Sequence, residues 1–446
     1  MRKLRRGELE LEARVLVDAP GPQRLLDHLD ASDRPFLLLS GAGDSDLSGW
    51  SYGALEASDE QPDLTAAFDA LGAQLGSGEA ERSDDEPPFT GGAVGYLGYD
   101  LGWNWSLRPR PPRADPLEMP ASRFHIYDAI YAFDSRRREG WLIHRPTPSA
   151  RARARRLEAA LSSTGRTPAG GTRVSPTPRI SRRIYEDRVR AALEEIAAGE
   201  VYQINLTHPL QGTFEGHPGA ALKRLLATAP PFAAYLGVGE QQHVVSASPE
   251  CFLDIDARGR TRSYPIKGTR RRGRGARDAA ESLALTRDPK ERAEHLMIVD
   301  LLRNDLGRIC RPGSVSVDGL AYVESFPTVH HLTSRIEGWL ESDTSVDAML
   351  AATFPGGSIT GAPKLRAMEI IDRLEGEARG IYTGAIFWVD GSGATRSSIA
   401  IRTAQISGTE VRIGVGGGIV ADSDPAREWA ETELKARALC GALAVP

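Results

Sequence analysis

The order of apolar and polar residues predicts a chain that alternates between strands and helices. A compact apolar run at Phe36–Leu39 has the length of a buried strand, and apolar and polar residues alternate over 201–206 as in a half-buried strand. Within 181–199 the apolar positions recur with a helical period. Further strands are predicted at 91–100, 124–133, 242–248, 384–389 and 398–403, and further helices at the end of 136–160 and near 277–304, 363–375 and 424–443.

This mixture predicts the α+β class, rich in antiparallel sheet, and no repeat indicates a solenoid or a propeller. A stretch rich in proline, glycine, threonine and serine around 165–178 is typical of a linker. We therefore predict an N-terminal region at 1–165, a linker at 166–180 and a second region at 181–446. Residues 76–88 form an acidic polar segment.

Composition and charge indicate a globular protein that acts on a small molecule. The 446 residues are 41% hydrophobic and 26% charged, a balance that can bury a large core. A net charge of −5 gives no overall attraction to nucleic acid or to a membrane surface, so neither is an expected partner. The chain lacks the run of about 18 to 20 apolar residues that crosses a bilayer, and its charged start continues into a polar segment that is unlike a signal peptide. Three scattered cysteines fit a reducing compartment, so the expected location is the cytoplasm.

A lysine beside a run of arginines is the first candidate for chemistry. Lys267 follows a strand-like stretch that ends at Pro265, and it precedes Gly268, Thr269 and the basic run 270–274. A nucleophilic lysine must lose its proton, and burial or neighbouring positive charge lowers the pKa of an amine toward that state. The alternative is an exposed basic loop that contacts phosphate or RNA, and the residues alone leave both interpretations open.

Two pairs of glutamates are candidates for holding a hard cation. Glu291 and Glu294 are spaced i, i+3, and Glu428 and Glu431 repeat that spacing. On a helix this spacing brings both carboxylates to one face, where oxygen ligands can gather around Mg²⁺. The alternative is ordinary surface ion pairing, for instance of Lys290 with Glu294.

Two glycine-rich runs and two adjacent histidines carry less specific signals. The run 354–364 has alanine where a phosphate-binding loop has lysine, and 414–418 is followed by Ile419 where a dinucleotide-binding turn has glycine. Neither run predicts a nucleotide site, although both can direct backbone N–H groups at a carboxylate. His330 and His331 are neighbours, so on a strand one ring is expected to face inward and the other outward.

Six ordered motifs carry a resemblance to a known family. They are Tyr-Gln-Ile-Asn at 202–205, Ser-Pro-Glu at 248–250, Pro-Ile-Lys-Gly-Thr at 265–269, Val-Asp-Leu-Leu-Arg-Asn-Asp at 299–305, Thr-Gly-Ala-Pro-Lys at 360–364 and Gly-Ile-Val-Ala-Asp-Ser at 418–423. In this order they resemble the chorismate-utilising enzymes, from about residue 36 to residue 438. The resemblance implies two interwoven subdomains of mostly antiparallel sheet, packed as a β-sandwich with helices outside.

Two positions distinguish the activities within this family. Members that aminate chorismate at C2 and release anthranilate carry alanine in the Pro-Ile-x-Gly-Thr motif, whereas members that aminate C4 carry lysine, as Lys267 is here. Members that add water carry lysine at the position of Gln203. The resemblance therefore implies C4 amination, which gives 4-amino-4-deoxychorismate for the synthesis of 4-aminobenzoate and folate. Amination at C2, as in anthranilate synthase component I, is the alternative, and a non-enzymatic anion- or RNA-binding module is a more distant one.

The resemblance also implies a role for each motif residue. Lys267 attacks C2 of chorismate while Glu250 protonates the departing ring hydroxyl, and ammonia then attacks C4 and expels the lysine. His331 is expected beside the ring as a further catalytic residue. The expected Mg²⁺ ligands are Glu294 and Glu431 directly, and Glu291 and Glu428 through bound water. The residues expected to bind substrate are Gln203, Thr360, Gly361, Tyr382, Arg402, Gly416, Gly417 and Gly418.

Ammonia is expected to come from a second subunit. A glutaminase of the common type carries Gly-x-Cys-x-Gly around its nucleophile, and none of Cys251, Cys310 and Cys440 has that setting. The resemblance therefore implies a separate glutamine amidotransferase that docks and supplies ammonia. Family members also bind tryptophan in their N-terminal half, but the match over 37–50 is too loose to assign ligands, so that site stays open.

Overall fold

The fold is taken from a computed structural model that describes residues 2–6, 9–41, 47, 49–76, 83, 85–163, 165, 167, 169–327 and 329–444. The strands are β1 (Arg2–Arg6), β2 (Leu9–Leu16), β3 (Phe36–Leu39), β4 (Trp50–Ala54), β5 (Asp59–Gln61), β6 (Gly92–Leu97), β7 (Ser122–Tyr127), β8 (Ala129–Asp134), β9 (Glu139–His144), β10 (Gly170–Pro178), β11 (Gln203–Gly216), β12 (Phe232–Gly237), β13 (Gln242–Ser248), β14 (Cys251–Ile255), β15 (Arg260–Ser263), β16 (Ile266–Arg271), β17 (Ser316–Val317), β18 (Tyr322–Ser325), β19 (Val329–Thr333), β20 (Ile336–Trp339), β21 (Gly361–Ala362), β22 (Ala385–Asp390), β23 (Thr395–Ile399), β24 (Thr403–Ser407) and β25 (Glu410–Ile419). The helices are α1 (Leu64–Leu71), α2 (Pro148–Ser162), α3 (Arg182–Ala197), α4 (Gly219–Leu225), α5 (Ala276–Arg287), α6 (Pro289–Gly307), α7 (Val346–Thr353), α8 (Lys364–Glu375) and α9 (Pro425–Leu443).

Strands from both halves of the chain share the two large sheets. The larger sheet has 13 strands in the order β1-β2-β9-β8-β4-β3-β12-β13-β24-β25-β11-β10, and β21 pairs with β11 beside this path. The second has nine strands in the order β17-β20-β15-β14-β23-β22-β6-β7-β5, and a small third sheet is β16-β19-β18. The N-terminal β3 and β6 pair with the C-terminal β12 and β22. These strands pair antiparallel throughout.

The two large sheets face each other across a core rich in aromatic side chains. Tyr52 of the larger sheet and Trp388 of the second meet edge to face, with ring centroids 6.3 Å apart. Helices α2, α4 and α9 cover the outer face of the larger sheet, and α1, α6 and α7 cover that of the second. Each sheet thus buries apolar side chains on both faces, which is the main stabilising contribution in such a layered fold. The predicted α+β class, a β-sandwich with helices outside, is confirmed.

Most predicted elements are present, and one predicted boundary segment differs. The strands predicted at 36–39, 91–100, 124–133, 201–206, 242–248 and 384–389, and the helices at 181–199, 363–375 and 424–443, correspond to β3, β6, β7 with β8, β11, β13, β22, α3, α8 and α9. The predicted linker is wrong over Gly170–Pro178, which forms β10 at the edge of the larger sheet. Proline and glycine are compatible with an edge strand, because its outward N–H groups need no partner strand.

Two predicted elements are interrupted in the structure. The helix near 277–304 is two helices, because the Asp288 side chain accepts hydrogen bonds from backbone amides at the start of α6 and so caps a new helix. The strand at 398–403 divides into β23 and β24, because Arg402 between them has a left-handed φ of 51°.

Some predictions fall on residues outside the described part of the chain. They include most of the acidic segment at 76–88, residues 42–46 and 48 of the segment compared with a tryptophan site, and residues 166 and 168 of the predicted linker. Across the described helices, none combines the length and the apolar character needed to cross a membrane.

Candidate active site

Lys267 lies on a short, bent strand. It is the second residue of β16, and the pairing of β16 with β19 shifts register between Lys267 and Thr269. Gly268 forms this bulge with a φ of 81°, and a Cβ added there would lie only 2.8 Å from Glu291 Oε2. The Lys267 ammonium pairs with Glu294 at 3.1 Å and its side chain is 23% exposed. At Lys267 the segment is therefore a partly buried strand and not an exposed loop.

The basic run beside Lys267 is partly neutralised by acidic side chains of the following helices. Arg270 pairs with Glu281 at 3.5 Å and with Asp288 at 3.4 Å. Arg272 pairs with Asp278 at 2.6 Å. These contacts hold Arg270 and Arg272 against α5 and the start of α6 and neutralise part of the charge of the run, whereas Arg271 and Arg274 are exposed.

Glu250 is a buried carboxyl group whose protonation responds to Lys267. It lies between β13 and β14 and is 7% exposed. Burial raises its pKa to about 7, against the opposing effects of a 2.7 Å hydrogen bond from Ser358 Oγ and of the Lys267 charge. Near neutral pH the group can therefore hold a proton and release it, as a general acid does.

Gln203 brings an unpartnered amide close to Lys267. Its side chain is fully buried at the start of β11, and neither Oε1 nor Nε2 has a hydrogen-bond partner within the described part of the chain. A Cβ added to Gly418 would lie 2.9 Å from Gln203 Nε2 and 3.2 Å from Lys267 Nζ. An unpaired buried polar group costs about 1 to 3 kcal/mol. A polar ligand that supplied the missing hydrogen bonds would offset that cost.

The two glutamate pairs lie on different helices near the glycines of β25. Glu291 and Glu294 are on α6, and Glu428 and Glu431 are on α9, as the helical spacing predicted. A Cβ added to Gly417 would lie 3.2 Å from Glu428 Oε2 and 3.8 Å from Glu431 Oε1. Burial raises the pKa of Glu291 and of Glu428, and the second glutamate of each pair adds to the rise. A cation bound to these carboxylates would therefore stabilise their charged forms against both desolvation and mutual repulsion.

Lysine ammonium groups contact the glutamate pairs in this structure. Lys435 Nζ lies 2.7 Å from Glu431 Oε1 and donates to the Gly416 carbonyl at 2.9 Å. The pairing of Lys290 with Glu294, considered as an alternative to a metal site, is present at 4.0 Å. Among the described residues, no three Asp, Glu, His or Cys side chains converge in metal-binding geometry. The donor set nevertheless suits a hard cation chemically, since it consists of carboxylates alone.

Both adjacent histidines are buried, so the expectation of one outward-facing ring is wrong. His330 and His331 are 2% and 3% exposed on β19, because α5 covers the face of the small sheet that would otherwise meet solvent. His330 Nε2 lies 3.0 Å from Asp278 of α5, and His331 Nδ1 lies 2.8 Å from Thr269 Oγ1. Burial lowers the pKa of His331 to about 4, so its ring is neutral at neutral pH.

Thr360 and Gly361 adjoin Gln203 through backbone pairing. In β21, Gly361 pairs with Ile204, and the Asn205 amide donates to the Thr360 carbonyl at 2.8 Å. The Thr360 hydroxyl is fully buried and donates to Gly356 O at 2.9 Å. Its side chain is therefore engaged within its own loop, and the backbone is the part that meets β11.

Tyr382 and Arg402 differ in exposure. The Tyr382 ring is 7% exposed and packs on Gly414, where an added Cβ would lie 2.0 Å from the ring. Arg402 is exposed, and its guanidinium makes no hydrogen bond or ion pair to any residue that the structure describes. Its charge acts on His331, where it helps to lower the pKa. Arg402 therefore offers free donors near the small sheet.

Sequence reasoning missed two residues of this site. Ser358 donates to Glu250, and Lys435 contacts Glu431 and Gly416. Ser358 belongs to the glycine-rich run 354–364, which was considered for nucleotide binding and for carboxylate binding through its backbone, and not for its side chains. Lys435 stands four residues after Glu431 on a predicted helix, so the i, i+4 spacing was a signal that could have identified it.

Comparison with known proteins agrees with this geometry. The chain is 43% identical over 367 residues to an aminodeoxychorismate synthase of Streptomyces griseus, a match that covers 79% of this chain and 50% of that relative. The chain thus spans about half the length of that relative. It is 42% identical over 382 residues to anthranilate synthase component 1 of Streptomyces coelicolor, covering 80% of this chain and 73% of that protein.

The fold and the motifs match one family across most of the chain. The solved structure of anthranilate synthase component I from Streptococcus pneumoniae superposes with a TM-score of 0.77 at 27% identity, covering 89% of this chain and 93% of that one. Residues 36–441 match the family described as chorismate binding enzyme. This range contains Glu250, Lys267 and both glutamate pairs. The chain therefore belongs to the chorismate-binding enzymes and is a chorismate-utilising enzyme.

Proposed function

We propose that the chain aminates chorismate at C4 with ammonia and so forms 4-amino-4-deoxychorismate, the precursor of 4-aminobenzoate. The observation that carries this proposal is the position of Lys267. Its amine lies by the unpartnered Gln203 amide and Gly418, and its charge acts on the buried Glu250. An amine there can bond to a ring carbon while a buried acid protonates the leaving group.

The reaction is then two displacements, each of which shifts ring double bonds. Lys267 first leaves Glu294 and loses a proton, and its nitrogen bonds to C2 while the C4–O bond breaks. Glu250 gives its proton to the departing hydroxyl, which leaves as water. Ammonia then bonds to C4, the double bonds shift back, and the C2–N bond to Lys267 breaks, so that Lys267 leaves as a neutral amine. The new ammonium group at C4 returns a proton to Glu250. The sum consumes chorismate and ammonia and yields the amino product and water.

Arg402 and the glycines of β25 would bind the carboxylates of the substrate. The exposed Arg402 guanidinium has unused donors that can form paired hydrogen bonds with a carboxylate. Tyr382 and the backbone of 416–418 would complete the pocket for the enolpyruvyl carboxylate. The Gln203 amide, which lacks a partner, would bond to a polar group of the substrate or to ammonia.

We further propose Mg²⁺ as a cofactor, because all four donors are carboxylates and burial raises the pKa of two of them. Glu294 and Glu431 would hold the metal, with Glu291 and Glu428 on its bound water. When bound, the metal would neutralise the ring carboxylate of chorismate. Binding requires Lys267 and Lys435 to give up their present carboxylate partners.

A glutamine amidotransferase subunit is the proposed source of ammonia. The similar proteins from Streptomyces coelicolor and Streptococcus pneumoniae are both named as component 1 or I of an anthranilate synthase, a designation that implies a second component. The chain by itself should accept free ammonia, and a docked amidotransferase would let it use glutamine.

Amination at C2, which gives anthranilate, is the second candidate. The observation in its favour is that the anthranilate synthase relative is as similar as the aminodeoxychorismate synthase relative, at 42% against 43% identity. The two reactions share the proposed metal and carboxylate sites, so Lys267 is the residue on which the choice depends.

A product assay tests the proposal directly. The purified chain is incubated with chorismate, Mg²⁺ and ammonium, and an aminodeoxychorismate lyase is then added. We expect 4-aminobenzoate that appears only after the lyase, because the enolpyruvyl ether of the amino product is intact. Anthranilate fluorescence without the lyase would overturn C4 amination in favour of C2 amination.

A further inference from the structure

We propose that Arg379 is a positioning residue for chorismate binding, an inference that rests on the proposed function. Arg379 follows α8 and is 5% exposed. Within the described residues its guanidinium makes no hydrogen bond to a side chain assigned to the substrate. It bonds instead to the chain on either side of several such residues, which come from distant parts of the sequence.

The Arg379 guanidinium ties three segments together. Nη1 donates to the Ile359 carbonyl at 3.1 Å and to Thr383 Oγ1 at 3.3 Å. Nη2 donates to the Asn205 carbonyl at 2.6 Å. One planar group therefore links β11, the glycine-rich loop before β21 and the turn before β22. The segments approach one another only in the folded chain.

Each of the three acceptors lies within two residues of a residue assigned to substrate binding. The first acceptor immediately precedes Thr360, the second immediately follows Tyr382, and the third lies two residues after Gln203. A shift of Arg379 would thus move all three positions relative to one another. Displacements of about 1 Å at such positions can cost about a hundredfold in rate.

Other contacts hold the Arg379 guanidinium in one orientation. Its Nε donates to Glu375 Oε2 at 2.8 Å and its Nη2 donates to Glu375 Oε1 at 2.7 Å. Glu375 Oε1 also accepts from the Thr207 amide at 2.8 Å, which joins the pair to β11 again. The Tyr99 ring lies against the guanidinium, 4.4 Å from its carbon. A lysine could keep the charge but could not reproduce a planar fork with this many directed donors.

A second, partly buried arginine provides a control. Arg396 is also paired with a buried carboxylate, Asp254, through a 2.8 Å bond, and it lies against the Trp388 ring at 5.9 Å. Its bonds reach no residue adjacent to an assigned substrate residue. Arg379→Lys and Arg396→Lys each remove a guanidinium that pairs with a buried carboxylate, and only the first change affects the bonds to the three segments.

The test compares the KM for chorismate, kcat and the melting temperature of Arg379→Lys, Arg396→Lys and the unmodified chain. For Arg379→Lys we expect the KM to rise about tenfold or more, with a smaller fall in kcat, because ground-state and transition-state binding are lost together. We expect a similar loss of melting temperature for both variants and an unchanged KM for Arg396→Lys. An unchanged KM in Arg379→Lys, or an equal rise in both variants, would overturn the positioning role.

A second variant covers the case in which Arg379→Lys does not fold. Glu375→Gln keeps an acceptor for Arg379 but loses the charge that orients it, and the same rise in KM is expected. An unchanged KM in Glu375→Gln would then overturn the role. The KM can be measured with either amination product, so failure of C4 amination is distinguishable from failure of the positioning role. An unmodified chain that neither binds nor converts chorismate would overturn both.

Discussion

Glu250 and His331 are titratable groups whose pKa values burial moves in opposite directions. Burial disfavours the charged form, so it raises the pKa of Glu250 to about 7 and lowers that of His331 to about 4. At neutral pH Glu250 can hold a proton, as the proposed general acid must, whereas the His331 ring is neutral. The motifs assigned both residues to the site, and their different chemistry follows from their surroundings.

The free energy of unfolding should depend on pH because Glu250 is buried. Its native pKa of about 7 lies above the ordinary value of 4.5, so the native state binds more protons than the unfolded state between these values. The free energy of unfolding contributed by this group is therefore fully present below pH 4.5 and is lost as the pH rises through 7, by about 3 kcal/mol. Glu250→Gln cannot lose a proton, so we expect it to become more stable relative to the unmodified chain across this range.

Urea unfolding at a series of pH values measures this difference. Glu240→Gln, at an exposed position in a turn, is the control and should show no pH-dependent difference. Parallel curves for Glu250→Gln and the unmodified chain would contradict the raised pKa.

Lys267→Ala should abolish a covalent enzyme–chorismate adduct, because the Lys267 amine is the one that lies beside Gln203 and Gly418, whereas the neighbouring Lys435 amine is held by Glu431 and the Gly416 carbonyl. Intact-protein mass spectrometry after rapid acid quenching measures the adduct.

Glu250→Gln should still form the adduct, but about a hundredfold more slowly, since the leaving hydroxyl then departs without a proton donor. Lys223→Ala, which removes an amine that contacts Thr167, is the control and should leave the adduct intact. An unchanged adduct in Lys267→Ala would falsify the nucleophilic role.

At the scale of elements, the candidate metal-binding carboxylates lie on helices α6 and α9, and glycines of strand β25 leave room beside the pair on α9. The i, i+3 spacing on α6 and α9 was readable in the sequence, because a helix places such residues on one face. The approach of both pairs to β25 was not readable, because it depends on the glycines at 417 and 418 and on how the helices pack. The bulge at Gly268 likewise depends on pairing between β16 and β19.

Gly268→Ala should disrupt the site at the level of this bulge. The change places a Cβ at a left-handed φ of 81° and only 2.8 Å from Glu291 Oε2, so it should displace both Glu291 and Lys267. Gly199→Ala is the matched control, since its φ of 79° is similar but nothing lies within 4 Å of the added Cβ. Each substitution should cost about 1 to 2 kcal/mol of stability through the backbone.

Only Gly268→Ala should also lower kcat/KM, by about tenfold or more. Thermal unfolding and steady-state kinetics separate the two effects. Equal activities of the two alanine variants would show that the bulge does not position Lys267.

At the scale of the whole molecule, neither half of the chain has a large sheet of its own. β3 pairs with β12 and β6 pairs with β22, so both large sheets contain strands from before and after residue 165. The inter-sheet core mixes the halves in the same way. A fragment of either half would therefore expose unpaired strand edges and apolar faces, a condition that favours aggregation.

Residues 181–446 produced alone should not give a monomer that unfolds cooperatively. Co-production of residues 1–165 with residues 166–446, which include β10, or a protease cut near residue 165 in the intact protein, should leave a folded complex, because the strand pairing does not need that covalent link. Size-exclusion chromatography and urea unfolding followed by circular dichroism check both expectations. A stable, monomeric 181–446 fragment would show that the halves are separable domains.

The sequence by itself determined the class of fold, most of the strands and helices, and the candidate residues for the proposed chemistry. Local periodicity and motif order depend on neighbours along the chain, so they identify α9 and single out Glu250 and Lys267 without knowledge of packing. Tertiary structure alone decided that the predicted linker is an edge strand, that both histidines are buried and that Ser358 contacts Glu250. Each of these outcomes depends on contacts between residues far apart in sequence, and such contacts set the burial and charge that no local pattern contains.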